Sequence, residues 1–329
     1  MFFNLFNKKK YIDCPNIKHS LHFFYNEVRA CCTNVSGPIF YPNYKGEDID
    51  WDFVYKERKN FFKKLKPKSS TDFIPQTCKG CCDIDQFITN KKPEDFENVV
   101  NKVYFHNHMS CNAKCVYCTY EYLERGYGYE VLPFVKSLIN KKILSPNALI
   151  YMSGGEITIS KEFEELLSLL LSYLNSQIEI LTSGIKYCKS IEQAFIENKC
   201  RLMISLDSGS RDTYLKIKQV DCYDKVIENI TNYIAASENA KNMITLKYII
   251  IDNINDNTDE IEKFLTVIQN LGIKNVRLDI DYEKYKYTQD IRVPKHYFDL
   301  YKYFNTSAKS KSLNILKCDQ VEAILNKSK

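Results

Sequence analysis

The stretch that decides the reading is Lys102-Val-Tyr-Phe-His106-Asn-His108-Met-Ser-Cys111-Asn-Ala-Lys-Cys115-Val-Tyr117-Cys118. It opens as a short apolar strand and runs directly into three cysteines spaced C-x3-C-x2-C. Three thiolates within eight residues can converge on one inorganic cluster. On a four-iron cube, three protein ligands leave one iron open, which makes a site for chemistry rather than a closed structural site. A structural zinc ion would take a fourth ligand, and His106 or His108 could supply it, so zinc stands as the alternative at this point.

Working outward, apolar runs and helical patterns alternate. The runs Val103–Phe105, Leu149–Met152, Ile178–Leu181, Leu202–Leu206, Leu246–Ile251 and Val276–Ile280 are short and almost continuously apolar. Strands buried on both faces of a parallel sheet have this character. Between them, Glu162–Leu174, Asp224–Ala236 and Asp259–Leu271 carry apolar residues at helical spacing, and Gly272 stands where a helix stops. Six such units in series predict an α/β domain with a curved parallel sheet, doubly wound or an incomplete barrel.

In these folds the ligand sits on the loops that follow the strands. One such loop reads Tyr151-Met-Ser-Gly154-Gly155-Glu156. Its glycines allow close backbone approach, and its carboxylate can accept from an ammonium group. Two more end in Leu181-Thr-Ser183-Gly184 and Ile204-Ser205-Leu-Asp207-Ser-Gly209. Each is an ordinary turn alone. Together with the cysteine loop they line one sheet edge with groups suited to an amino acid or a ribose.

The composition agrees with a soluble globular chain. The 329 residues carry a net charge of +5, with 44% hydrophobic and 26% charged residues, which excludes a disordered or collagen-like chain. No stretch approaches the ~20 apolar residues of a membrane span. At the N-terminus a very short apolar run (Met1 to Phe6) precedes Lys8, Lys9 and Lys10, the reverse of a secretory signal, so a cytoplasmic protein is expected. The basic stretch from Lys63 to Lys68 is interrupted and local, so it predicts a solvated face and no nucleic-acid partner. There are 13 cysteines, an odd count that excludes complete disulfide pairing. In a reducing compartment they point to metal ligation or catalysis. Cys188, Cys200, Cys222 and Cys318 stand singly and are expected to pack as small hydrophobes.

On these motifs, the stretch from about 101 to 290 resembles the radical S-adenosylmethionine (radical SAM) enzymes. The resemblance implies a partial (β/α)6 TIM-like barrel. Cys111, Cys115 and Cys118 would hold a [4Fe-4S] cluster. Gly154, Gly155 and Glu156 would contact the methionine amino group of S-adenosylmethionine (SAM), and Ser183, Ser205 and Asp207 would lie along its methionine and ribose. Tyr117 would sit near the adenine, and Lys218 would take the place of a basic residue for the SAM carboxylate. Reductive cleavage of SAM to a 5′-deoxyadenosyl radical would follow. The electron would come from a reducing partner such as flavodoxin or ferredoxin.

The first hundred residues show no strand–helix alternation. They hold Cys14, Cys31, Cys32, Cys78, Cys81 and Cys82, and so read as an irregular, metal-stapled domain. The order of these cysteines resembles the SPASM-type auxiliary-cluster segment of radical SAM enzymes, here placed ahead of the barrel. That resemblance implies a second [4Fe-4S] cluster on Cys14, Cys31 or Cys32, Cys78 and Cys81, with zinc as the alternative metal. The expected domains are therefore 1–100 (cysteine-rich), 101–290 (barrel) and 291–329 (C-terminal helix and tail). Peptide or protein modification and alcohol or sugar oxidation are the implied substrate classes. His106, His108, Asp279 and Asp281 fall at strand ends, where substrate would be met. The contrasting class is a non-catalytic Fe–S or zinc-binding regulatory protein that keeps the fold.

Overall fold

Each of the six apolar runs forms a strand. The computed structural model describes residues 11–30, 39–46, 49–64, 84–91, 97–118, 128–281, 294–317 and 321. Cys31, Cys32, Cys78, Cys81, Cys82 and Cys318 lie outside them. The chain divides into two compact units, residues 1–107 with 129–150, and residues 108–128 with 151–329.

The first unit holds strands β1 (Tyr11–Ile12), β2 (Ser20–Phe24), β3 (Glu27–Arg29), β4 (Ile39–Tyr41), β5 (Ile88–Thr89) and β6 (Val100–His106), and most of β7 (Leu144–Met152). Its helices are α1 (Pro15–His19), α2 (Trp51–Lys64) and α3 (Leu132–Asn140). β2 pairs in parallel with β6, while β3 and β4 continue from β2 as an antiparallel meander. The first hundred residues are thus more regular than their sequence suggests. Ser20-Leu-His-Phe-Phe24 is too short for a period to show, and β2 gains its place by pairing with β6, a partner about 80 positions away.

This unit's core is aromatic. The Phe23 ring stacks on Phe105 at 5.5 Å and meets the edge of Phe134 from α3 at 5.1 Å. α2 begins where the Asp50 carboxylate accepts from the backbone N–H groups of Asp52 and Phe53. Its Arg58 is fully buried, donates to the carbonyls of Lys18 and Ser20, and lies over the Trp51 ring. Those contacts bind α2 to α1 and β2 and offset part of the cost of burying the charge, the Nε having no partner among the described residues. Cys14 is buried beside Ile12 and Ile17 at the start of α1.

The second unit is a parallel sheet in the order β8 (Ile178–Thr182), β9 (Cys200–Ser205), β10 (Ile244–Ile250), β11 (Asn275–Ile280) and β12 (Asn314–Ile315). Helices α4 (Phe163–Tyr173), α5 (Lys189–Ile196), α6 (Arg211–Lys218), α7 (Tyr223–Ala236), α8 (Ala240–Met243), α9 (Thr258–Leu271) and α10 (Lys295–Ser310) fall between and after the strands. Six of the seven residues of β10 are buried, as a strand covered on both faces requires. α9 starts at Asn257, whose side chain accepts from the Glu260 N–H, and ends at Gly272 with φ 68°. The glycine stop is the one expected from the sequence. Cys188 and Cys200 are buried as expected, and Cys222 is half-buried. No helix among the described residues is long and apolar enough to cross a membrane.

Candidate metal centre

The second unit contains the whole constellation. After β6 the chain forms the cysteine loop, with Cys111 exposed and Cys115 and Cys118 half-buried. Met109 and Ala113 are buried and seat the loop, and the Cys118 N–H closes a turn onto the Cys115 carbonyl at 3.0 Å. The Ala113 N–H donates to the Cys111 sulfur at 3.4 Å. Two further backbone bonds run to the last turn of α6, from Lys114 N–H to the Lys218 carbonyl and from Val116 N–H to the Ile217 carbonyl, both 2.9 Å. A helix end leaves such carbonyls unpaired, and here the cysteine loop supplies the donors.

The Gly-Gly-Glu turn after β7 grips the loop from the other side. Gly155 N–H donates to the His108 carbonyl at 2.7 Å and Glu156 N–H to the Ser110 carbonyl at 2.8 Å. A Cβ on Gly155 would fall 2.5 Å from the Ser110 oxygen, so only glycine fits. Gly154 is needed for a different reason, its φ of 122°.

Glu156 is 1% exposed. Its Oε1 accepts from Thr158 N–H (3.2 Å), the Thr158 hydroxyl (2.6 Å) and the Thr182 hydroxyl (2.8 Å), and its Oε2 accepts from Ser183 N–H (2.6 Å). The carboxylate therefore ties this turn to the end of β8. The Ser183 hydroxyl in turn donates to Asn112 Oδ1, between the first two cysteines, at 3.1 Å. Sequence reasoning missed Asn112, Thr158 and Thr182. Their only signal is position, beside a motif residue or at a strand end.

Tyr117, Asp207 and Lys218 form one group. The Tyr117 hydroxyl donates to Asp207 Oδ2 at 2.7 Å and accepts from Lys218 Nζ at 2.9 Å, and Lys218 also pairs with Asp207. Asp207 is 0% and Lys218 1% exposed. Asp207 occupies the left-handed region, φ 61°, and is pinned there by Ile249 N–H on its Oδ1 and by the Asn255 amide on its carbonyl. Asn255, fully buried, is a supporting residue with no motif to announce it. Burial beside the Asp207 carboxylate holds the Tyr117 phenol well above its ordinary value. Burial pulls the Lys218 ammonium down most strongly, but the Asp207 carboxylate, its hydrogen bond and the neighbouring Cys115 and Cys111 together hold it above its ordinary value. Ser205 is half-buried at the last position of β9.

The histidines considered as zinc ligands have separate settings. His106, in the first unit, has its Nδ1 2.7 Å from His22 Nε2, and burial pushes its pKa down to about 4. His108, in the second, has a buried Nε2 without a hydrogen-bond partner among the described residues. A zinc ion bound by thiolates at about 2.3 Å holds its sulfurs under about 4 Å apart. Among the described residues the three-ligand group whose atoms all lie within 4.8 Å is Asp252, Asp256 and His296, not the three thiols. Asp279, half-buried on β11, pairs with Arg277, and Asp281 follows that strand half-buried.

The parallel sheet, the three-thiol loop after a strand and the Gly-Gly-Glu turn define a class, and residues 109–268 match the Radical SAM superfamily. Over that stretch, just under half of its length, the chain is similar to the superfamily, whose members use a [4Fe-4S] cluster and SAM. Over 171 residues it is 28% identical to the probable GTP 3',8-cyclase of Saccharolobus solfataricus, covering 51% of this chain and 53% of that one. It is 26% identical over 190 residues to the GTP 3',8-cyclase of Helicobacter pylori, covering 55% and 56% respectively. The chain thus spans about half the length of the curated relatives it matches. Among solved structures it resembles Streptococcus suis SuiB. The form bound to precursor peptide SuiA gives a TM-score of 0.54 at 12% identity, covering 97% of this chain and 74% of that one. The form bound to S-adenosylmethionine gives 0.53 at 14% identity, covering 81% and 64%. At these identities the likeness is one of fold.

Proposed function

We propose that this chain is a radical SAM enzyme in which Cys111, Cys115 and Cys118 hold a [4Fe-4S] cluster with one iron open to SAM. The observation that carries the reading is the double anchoring of the cysteine loop. It is bonded to the Gly-Gly-Glu turn on one side and to the end of α6 on the other. A loop held at both flanks presents its three thiols in a preorganised array, as a site for bond cleavage requires. When bound, the cluster and SAM supply the chemistry: one electron splits SAM into methionine and a 5′-deoxyadenosyl radical that takes a hydrogen atom from substrate.

The chain's own residues bind and orient. The Gly154–Gly155 backbone makes a close-approach surface for the methionine portion of SAM, and the half-buried Ser183 and Ser205 offer hydroxyls along it. Glu156, committed to four donors, orients this surface from behind. The electron donor is a protein such as flavodoxin or ferredoxin, in a reducing, cytoplasmic setting.

In the first unit, Cys14 with Cys31 or Cys32, Cys78 and Cys81 forms the ligand set of a second cluster. The substrate is a peptide or a small molecule bearing an unactivated C–H bond. Peptide is favoured by the fold shared with SuiB, and a purine nucleotide by the relatives named GTP 3',8-cyclases.

The test is anaerobic reconstitution with iron and sulfide, followed by dithionite and SAM, with 5′-deoxyadenosine as the readout. Formation of the cluster without 5′-deoxyadenosine refutes the enzyme and leaves a non-catalytic Fe–S protein. Iron counting on the Cys111→Ala/Cys115→Ala/Cys118→Ala variant tests the second cluster: about four residual irons are expected, and zinc in their place sinks it.

A further inference from the structure

Lys218 and Asp207 are 1% and 0% exposed and lie in the second unit. Each is spent on the other and on Tyr117, whose hydroxyl bridges them. Tyr117 lies between two cluster cysteines, and its hydroxyl also lies against the Cys115 thiol. Beneath the same loop, the backbone carbonyls of Ile217 and Lys218 accept its N–H groups. One residue, Lys218, therefore holds the loop twice, through its carbonyl and through its ammonium.

The opposing anchor is equally fixed. Asp207 keeps a left-handed conformation that a non-glycine residue adopts at a cost, and it is over-determined: it accepts from Ile249 N–H and the Asn255 amide, and its own N–H donates to the Lys247 carbonyl. An ion pair out of water is expensive to retain unless its geometry serves a purpose. Here the pair places a positive group beside thiolates. A cluster's reduction potential depends on the net charge and hydrogen bonds around its sulfurs.

We propose that Lys218 and Asp207 are positioning residues for the cluster loop rather than SAM contacts, fixing Tyr117 and Cys115 and setting a cation that favours the reduced cluster. The inference rests on the proposed cluster at Cys111, Cys115 and Cys118.

The experiment is an EPR-monitored redox titration of the reconstituted full chain without SAM, paired with equilibrium SAM binding. Lys218→Met removes the cation and leaves the Asp207 carboxylate, so reduction becomes at least tenfold less favourable, about 59 mV for one electron. Asp207→Asn leaves the cation uncompensated and shifts the potential the opposite way. SAM affinity in Lys218→Met changes by less than about threefold. Tyr117→Phe keeps the ring, removes the bridge, and raises iron loss to a chelator severalfold. If Lys218→Met does not fold, the upward shift in Asp207→Asn and the iron loss in Tyr117→Phe still decide the matter.

Unmoved potentials with SAM binding weakened tenfold or more would overturn the inference and assign Lys218 to the SAM carboxylate. Lower melting temperatures with no change in potential would reduce the pair to a structural role. If the wild-type chain takes up no iron, the metal-centre reading itself fails. That result is distinct from a wild-type cluster whose potential ignores the pair.

Discussion

Replacing Gly155 with alanine tests the architecture of the site most directly. The added methyl carbon would lie 2.5 Å from the Ser110 oxygen, 2.6 Å from the Met109 oxygen and 2.7 Å from the Met109 carbonyl carbon. All three neighbours are backbone, so no flexible side chain can yield. Reaching ordinary contact at about 3.5 Å requires the loop and the turn to part by roughly an ångström. That displacement breaks the bonds from Gly155 to His108 and from Glu156 to Ser110. Two hydrogen bonds at about 1 kcal/mol each, with about 1–3 kcal/mol of overpacking, give a cost of about 3–5 kcal/mol. The cost falls on the seam beside Cys111, leaving β8–β11 untouched. Far-UV circular dichroism should therefore stay near wild type while iron retained after anaerobic reconstitution drops severalfold. Gly272→Ala is the control. It strains the left-handed C-cap of α9 by about 1 kcal/mol, far from the loop in sequence, and should lower the melting temperature without changing iron content. Wild-type iron content in Gly155→Ala would show that the turn does not shape the loop.

Glu156→Gln replaces a four-donor carboxylate with an amide whose N–H₂ must face a donor. A loss of about 2–3 kcal/mol, read by chemical denaturation, is expected; a loss under 0.5 kcal/mol would refute the geometry. Burial pushes the Cys188 thiol up to about 12 and raises Cys200 as well. Both should therefore resist alkylation in the native protein at pH 8 and react after unfolding, as peptide mass spectrometry can show. The folded His106 holds its pKa at about 4, below its unfolded value, so the folded chain binds fewer protons between those limits. Stability from this ring is fully present above about pH 6.5 and falls as pH drops toward 4, by up to about 1.4 kcal/mol per pH unit. His106→Phe should flatten that slope, and an unchanged slope in acid denaturation would assign it elsewhere.

The parts that sequence disclosed are those with local signatures. Apolar runs marked the strands, Gly272 closed a helix, and the cysteine spacing marked the loop after β6. What stayed hidden depends on partners remote in the chain. β2 is defined by pairing with β6, and no feature of Ser20–Phe24 announces it. Motif residues were found, but not their partners: Glu156 and Asp207 are buried, and their carboxylates accept from Thr182 and Ile249, which are remote in the chain. Asn112, Thr182 and Asn255 are common residues in turns, and only the hydrogen bonds they make distinguish them.

The anchoring of the cysteine loop also bears on when a cluster can be inserted. Cys111 leaves the ribosome about 45 residues before Gly155 and about 107 before Lys218, the two sides that hold its loop. At the usual pace of synthesis the second interval lasts roughly 5–20 s. Through that period the thiols belong to a loop whose seats do not yet exist. Iron delivered during translation would meet an unshaped ligand set, open to oxidation and to the wrong metal. The order of residues therefore favours a chain that folds first and receives its cluster afterwards. A pulse-labelled time course should find iron only on chains that have passed Lys218.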